Sequence, residues 1–247
     1  MTLFSRSLAS SWAKFVELVF FPSRCQLCSS FLERPGERIV CRSCLGKLKP
    51  HAASYCLCCG KFFEGAGDPH LCQDCLQHPP PFSRHRSCAK YRGELKDLIL
   101  LFKYRHFGIL GKDLALFAYE ALAKEEDLWW EVDAIIPVPL HPKRKKQRGF
   151  NQARVIAKEL ARLKGIELAE RCLVKIKNIV PQTSLEAEQR EKNVRGAFRV
   201  KGEEGLKGKI VLLVDDVYTT GSTLRECSKV LRKAGVKEVR AITVAQA

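Results

Sequence analysis

Long apolar runs are missing from this 247-residue chain. None reaches the roughly 18–20 positions that a bilayer-crossing helix needs, so stable membrane insertion is not expected. Also absent is a basic amino-terminal segment leading into an apolar stretch and a small-residue cleavage site, the mark of export. The chain is therefore expected in the cytoplasm, where its 12 cysteines stay reduced and a disulfide framework is disfavoured. No GxxxxGKS or GxxxxGKT loop occurs, which argues against a nucleotide hydrolase of that class. Negative charge is scarce, with 27 Asp and Glu against 43 Lys and Arg. The formal net charge of +16 falls to about +12 if two four-thiolate zinc sites are counted. Nucleic acid, anionic lipid headgroups and phosphorylated small molecules all suit such an excess. A hydrophobic content of 46% with 28% charged residues excludes wholesale disorder, and the length suits one ordinary domain plus a small one.

Cysteine is plentiful, and it is ordered. Cys25, Cys28, Cys41 and Cys44 form one CxxC–x12–CxxC quartet, and Cys56, Cys59, Cys72 and Cys75 repeat it 31 residues later. Four thiolates at this spacing suit a closed tetrahedral zinc site, structural rather than catalytic. Each unit is too small to be stabilised by burial, so metal binding would supply its folding energy. Turn formers lie between the pairs: Pro35 and Gly36 in the first unit, Gly65, Ala66, Gly67 and Pro69 in the second. The repeat favours one ion per quartet, while a cross-braced pairing uses the same ligands and stays open. Cys58, Cys88, Cys172 and Cys227 fall outside the pattern and read as small buried residues. Ahead of the quartets, segment 1–21 mixes Arg6, Lys14 and Glu17 with Trp12, Phe15, Val16, Val19 and Phe20, as in a short amphipathic helix. Docking against the rest of the protein is its expected role, with a membrane-surface position as the alternative. Pro79, Pro80 and Pro81 close the cysteine-rich part. The expected plan is an amino-terminal helix over 1–24, a double zinc module over 25–85 and an α/β domain over 86–247.

In that last part, KIVLLVDDV (209–217) reads as a buried parallel strand ending in two carboxylates. Tyr218, Thr219, Thr220, Gly221, Ser222 and Thr223 follow, and then a helical pattern, Gly235 as its stop, and a second strand over 239–244. This β-loop-α-β order belongs to an open α/β sheet, whose ligands sit beyond the carboxyl ends of the strands. Amides at the helix start favour a phosphate, and the loop hydroxyls add donors. Asp215 and Asp216 offer acceptors to the vicinal hydroxyls of a ribose. A phosphoribosyl group meets both demands.

VLLVDDVYTTGSTL (211–224) looks like the 5-phosphoribosyl 1-diphosphate (PRPP) signature of type I phosphoribosyltransferases. Taken with the two quartets, IIPVPLHPKRKKQRGFNQA (135–153) and PQTSLEAEQREKNVRGAF (181–198), the chain resembles the ComF family of competence proteins. The resemblance implies a double zinc ribbon joined to a type I phosphoribosyltransferase-like, mainly parallel sheet. By similarity, Asp215 and Asp216 contact ribose, Thr219, Thr220, Gly221, Ser222 and Thr223 hold the 5′-phosphate, and Val138 lies near the pyrophosphate. Asp216 is the candidate proton acceptor, and Mg²⁺ would enter with PRPP. Segment 181–198 corresponds to a mobile hood, with Arg190 and Asn193 as its first candidates. Lys103 is a candidate for reaching the ligand, with an ordinary surface lysine as the alternative. Lys143, Arg144, Lys145, Lys146 and Arg148 suit pyrophosphate, a nucleic-acid backbone or a solvated surface. The implied partners are a phosphoribosyl ligand, single-stranded DNA and a DNA-uptake helicase. Two functions stand: a DNA-uptake factor of natural transformation, and an active Mg-dependent phosphoribosyltransferase whose acceptor the sequence does not reveal.

Overall fold

The computed structural model describes residues 23–32, 39–52, 54–65, 67–104, 107–179 and 193–247. The amino-terminal amphipathic segment, the Pro35-Gly36 turn, Ala66 and most of the hood segment, Arg190 included, lie outside the described residues. Two compact units divide the chain, Met1–Leu48 and Lys49–Ala247. The second quartet thus belongs with the α/β sheet, although composition changes only near residue 85.

In the first unit the described elements are an antiparallel bridge, Arg24 to Phe31, and a short helix α1, Arg42–Gly46. In the second unit the same pieces recur 31 positions on, as a Tyr55 to Phe62 bridge and helix α2, Gln73–Gln77. The sheet follows. Its first strand, β1 (Arg84–Lys90), leads into α3 (Gly93–Tyr104), whose buried Leu95, Leu98, Ile99 and Phe102 form a helical stripe. Next come α4 (Leu110–Ala121), α5 (Glu126–Trp129) and β2 (Ala134–Pro137). The cationic run forms α6 (Pro142–Arg148), and α7 (Gln152–Lys164) leads to β3 (Glu167–Leu168). A small antiparallel pair, β4 (Leu173–Lys175) and β5 (Phe198–Val200), stands apart. The chain finishes with β6 (Ile210–Tyr218), α8 (Ser222–Lys233) and β7 (Glu238–Gln246).

All pairings in the five-stranded sheet are parallel, in the order β1-β7-β6-β2-β3. Central β6 explains the unbroken apolar run: α7 covers one face, α8 packs with β5 and β7, and Val211, Leu212, Leu213 and Val214 are fully buried. Each such side chain contributes about 1.5–3 kcal/mol by leaving water. Gly235, at φ +88°, follows the end of α8, as its place after the helical pattern predicts. From β2 the chain moves outward to β3, and from β6 it moves the opposite way to β7. The crevice between the ends of β2 and β6 is therefore the topological switch point, where an open sheet has room for a ligand. Among the described residues no helix is long and apolar enough to cross a membrane.

Candidate functional site

Both quartets close on themselves. Within each, the four Sγ atoms lie within 4.8 Å of one another. The Sγ separations are 3.9 Å for Cys25 and Cys44, 3.6 Å for Cys28 and Cys41, and 3.7 Å for Cys59 and Cys72. Zn–S bonds of about 2.3 Å require a tetrahedral edge of about 3.8 Å, so the donor sets fit zinc. Pairing is sequential, which removes the cross-braced alternative. In both units the second pair straddles a helix start, with Cys41 and Cys72 as N-caps and Cys44 and Cys75 inside the helix. The Cys41 and Cys72 amides donate to Cys25 Sγ and Cys56 Sγ at 3.4 and 3.3 Å.

The thiols divide unequally. In the first unit the Ser30 hydroxyl and amide, with neighbouring thiols, draw exposed Cys28 down to about 6. Burial and the other thiols push Cys44 up. In the second, burial opposes ionisation of Cys56, yet the amides of Cys72, Cys59 and Cys58 outweigh it and bring the thiol down to about 7. Burial pushes Cys59 up to about 12. Four thiols so close cannot all ionise without a cation among them, and a divalent metal supplies it.

The second ribbon is fixed to the sheet by β1, an edge strand whose free side it covers. The His85 amide donates to Cys58 O at 2.7 Å, and His85 Nδ1 lies 2.7 Å from Cys59 O. Burial pushes this imidazole down to about 3, so it is neutral and Nδ1–H is the donor. On its other side Nε2 meets Thr243 Oγ1 at 3.1 Å, and Thr243 meets Ser87 Oγ at 2.7 Å. Arg86, 3% exposed, donates to Leu57 O and to Glu125, and its guanidinium lies over the Tyr55 ring. Gln246 closes the joint, donating to Gly60 O at 3.1 Å and accepting from the Phe62 amide at 2.9 Å. Further along, Arg225 of α8 pairs with Asp74 at 2.9 Å and donates to His78 O. The ribbon thereby holds the first turn of the helix that follows the phosphate-type loop.

That loop carries the features expected of it. Gly221, at φ +75°, precedes Ser222 at the start of α8, and no side chain caps the helix. Only glycine fits, because a Cβ there would stand 2.3 Å from Tyr218 Oη. The helix therefore begins with backbone amides that no N-cap side chain occupies, in a stretch that also carries the hydroxyls of Thr219, Thr220, Ser222 and Thr223. Thr220 and Ser222 share a hydrogen bond of 3.0 Å.

Asp215 and Asp216 differ in kind, because successive strand residues face opposite sides. Asp216 meets Lys103 Nζ of α3 at 3.0 Å, with both side chains largely buried. Asp215, half-buried on the other side, accepts the Asp216 amide at 2.9 Å. Burial, then repulsion from Asp216, pushes its carboxyl up to about 7 against the pull of Lys103 and Lys175. Val138, 6% exposed, is held beside β6 by its amide bond to Val214 O at 2.9 Å. Asn151 caps α7 through Ala153 N and also donates to Val138 O. The cationic run is split by its helix: Lys143, Lys145 and Lys146 are exposed, while Arg144 and Arg148 are half-buried one turn apart. Arg148 lies over the Tyr104 ring. Asn193 is exposed. His85, Arg86 and Gln246 gave no motif in the sequence, and buried polar residues inside two strands were their only signal.

Two family models match: a phosphoribosyl transferase domain over residues 113–247 and a double zinc ribbon domain over 16–76. Competence protein F of Haemophilus influenzae is 35% identical over 171 residues, 68% of this chain and 75% of that protein. DNA utilization protein YhgH of Salmonella typhimurium is 32% identical over 166 residues, 66% of this chain and 72% of that one. Competence protein ComFC of Streptococcus pneumoniae is 30% identical over 160 residues, covering 65% and 67%.

Proposed function

This chain belongs to the ComF family of competence proteins, and from that premise we propose that it is a DNA-uptake factor of natural transformation. In this reading it grips a phosphoribosyl group, PRPP or its equivalent, and binds single-stranded DNA through its cationic surface. The observation that carries it is the carboxyl end of β6, at the switch point, where the Lys103–Asp216 pair and half-buried Asp215 are followed directly by an uncapped helix start. The loop amides and hydroxyls would hold a phosphate, and the carboxylates would accept from sugar hydroxyls. Mg²⁺ would accompany PRPP and offset its diphosphate charge. Exposed Lys143, Lys145 and Lys146 would follow a DNA backbone, with affinity falling steeply as salt rises. The zinc sites would be structural.

The test replaces Asp215 and Asp216 by Asn together and follows PRPP binding, single-stranded DNA binding and transformation. PRPP affinity is expected to fall about 30-fold or more, since two charge-assisted hydrogen bonds are lost, and transformation to fall with it. Unchanged PRPP affinity would refute the pocket. Lost PRPP binding with full transformation would separate the pocket from DNA uptake.

A further inference from the structure

Between the second ribbon and the phosphate-type loop lies a cavity of about 580 Å³, within the size range of small-ligand sites. Its walls include Cys59 and Cys72 of the second zinc site and Gln246 at the end of β7. Lys61 and Phe62 follow the first CxxC of the ribbon, Lys90, Tyr91 and Arg92 stand at the carboxyl end of β1, and Thr219 and Thr220 come from the loop. Lys61 and Arg92 are exposed and Lys90 is half-buried, and none of the three pairs with a carboxylate among the described residues. The one acidic wall residue, Asp74, is engaged by Arg225. Two thiols of the zinc site border one side, and the three cations with two half-buried rings, Phe62 and Tyr91, line the rest.

Thr219 and Thr220 belong to the cavity and to the loop at once. A terminal phosphate monoester in the loop would leave the cavity empty. A phosphodiester would not, because its second ester carries the next nucleotide into that space. We infer that the cavity holds the nucleotide on the 5′ side of a single DNA strand's 3′-terminal residue, whose own sugar lies at Asp215 and Asp216. Lys61, Lys90 and Arg92 meet the backbone, and Phe62 and Tyr91 meet the base. Within a strand, only the 3′-terminal residue combines a 5′-phosphodiester with a free sugar hydroxyl, the donor that the carboxylates require. In internal residues that oxygen is esterified. The inference rests on reading the loop as a phosphoribosyl grip.

The experiment titrates the zinc-loaded full chain with PRPP, dTMP, the dinucleotide dTpdT and its 3′-phosphorylated form at one salt concentration. Charge alone favours dTMP, which is the more anionic of dTMP and dTpdT. The cavity predicts the reverse, dTpdT binding about tenfold tighter or more, as one additional stacked base gives. Phe62→Ala with Tyr91→Ala should bring that ratio to about one, and a 3′-phosphate should cancel the advantage in the wild-type protein. Zinc content of the double variant distinguishes a lost stacking ring from a lost fold. A wild-type ratio near one, with PRPP and dTMP still binding, would overturn the inference, as would 3′-phosphorylated dTpdT binding as tightly as dTpdT. Failure of the underlying reading looks different: neither PRPP nor dTMP binds, and the inference falls with it.

Discussion

The two zinc ribbons are copies in backbone, and the second is bonded into the parallel sheet. Ser29 and Gly60 occupy equivalent positions 31 residues apart and share the left-handed conformation, at φ +62° and +66°. The first ribbon tolerates a side chain there. In the second, a Cβ at Gly60 would stand 2.4 Å from the His85 carbonyl oxygen, because β1 lies against the knuckle. One backbone geometry thus takes different residues according to its neighbour. The first copy sits in the unit Met1–Leu48, while the second has become part of the phosphoribosyltransferase-like unit. A ribbon that shares hydrogen bonds with β1, β7 and α8 should also share their stability, and the ribbon variants below test that difference.

The largest effect is expected from the ligands. Cys56→Ser should lower the stability of the sheet by on the order of 5 kcal/mol, through loss of metal and of a fully buried anchor. Cys25→Ser should leave the sheet's transition within about 1 kcal/mol. Calorimetry of both zinc-loaded variants decides, and equal shifts would break the comparison. Next is Arg86→Ala, expected to cost about 2–4 kcal/mol in urea unfolding, because it takes the buried donor from Leu57 O and leaves Glu125 with the Tyr55 hydroxyl but no cation. Gly60→Ser should cost about 2–3 kcal/mol through clash and strain, whereas Ser29→Gly should be neutral or stabilise the first ribbon by up to about 1 kcal/mol. Measuring the zinc affinity of both variants sharpens the contrast.

Asp215 supplies a smaller effect, with a definite sign. Its folded pKa, about 7, lies above the ordinary 3.8, so the folded state binds the proton more tightly. Its contribution favours the fold below the ordinary value and is lost as pH rises through about 7. Asp215→Asn should therefore raise stability at pH 8 by on the order of 1–2 kcal/mol, with the gain shrinking towards pH 4. Thermal unfolding of both proteins across that range checks it. A gain independent of pH would point away from the carboxyl. PRPP affinity of the wild type should rise across the same titration, since the carboxylate accepts from sugar hydroxyls more strongly than the neutral acid.

Much of this was legible beforehand because it rests on local pattern. The thiol spacing marked both metal sites, the run from Ile210 to Val214 marked the central strand, and Gly221 marked the tight turn. The leucine periodicity of 98–104 suggests a helix, and α3 delivers Lys103 to Asp216. The docking of the second ribbon was not legible. It depends on Arg86 reaching Leu57 and on Gln246 reaching Gly60, across 29 and 186 positions of chain. Such partners meet only once the sheet has formed, and an arginine in a strand reads locally as an exposed residue. The cationic run was visible as charge. Its division into exposed lysines and half-buried arginines needed the helical period.

Native-state hydrogen exchange on the zinc-loaded chain tests the central claim most directly, since it reads the opening free energy of individual amides. The Gly60 amide should open with the same free energy as the His85 amide of β1, while the equivalent Ser29 amide opens more easily. Equal protection at Ser29 and Gly60, both below β1, would mean that the second ribbon does not share the stability of the sheet.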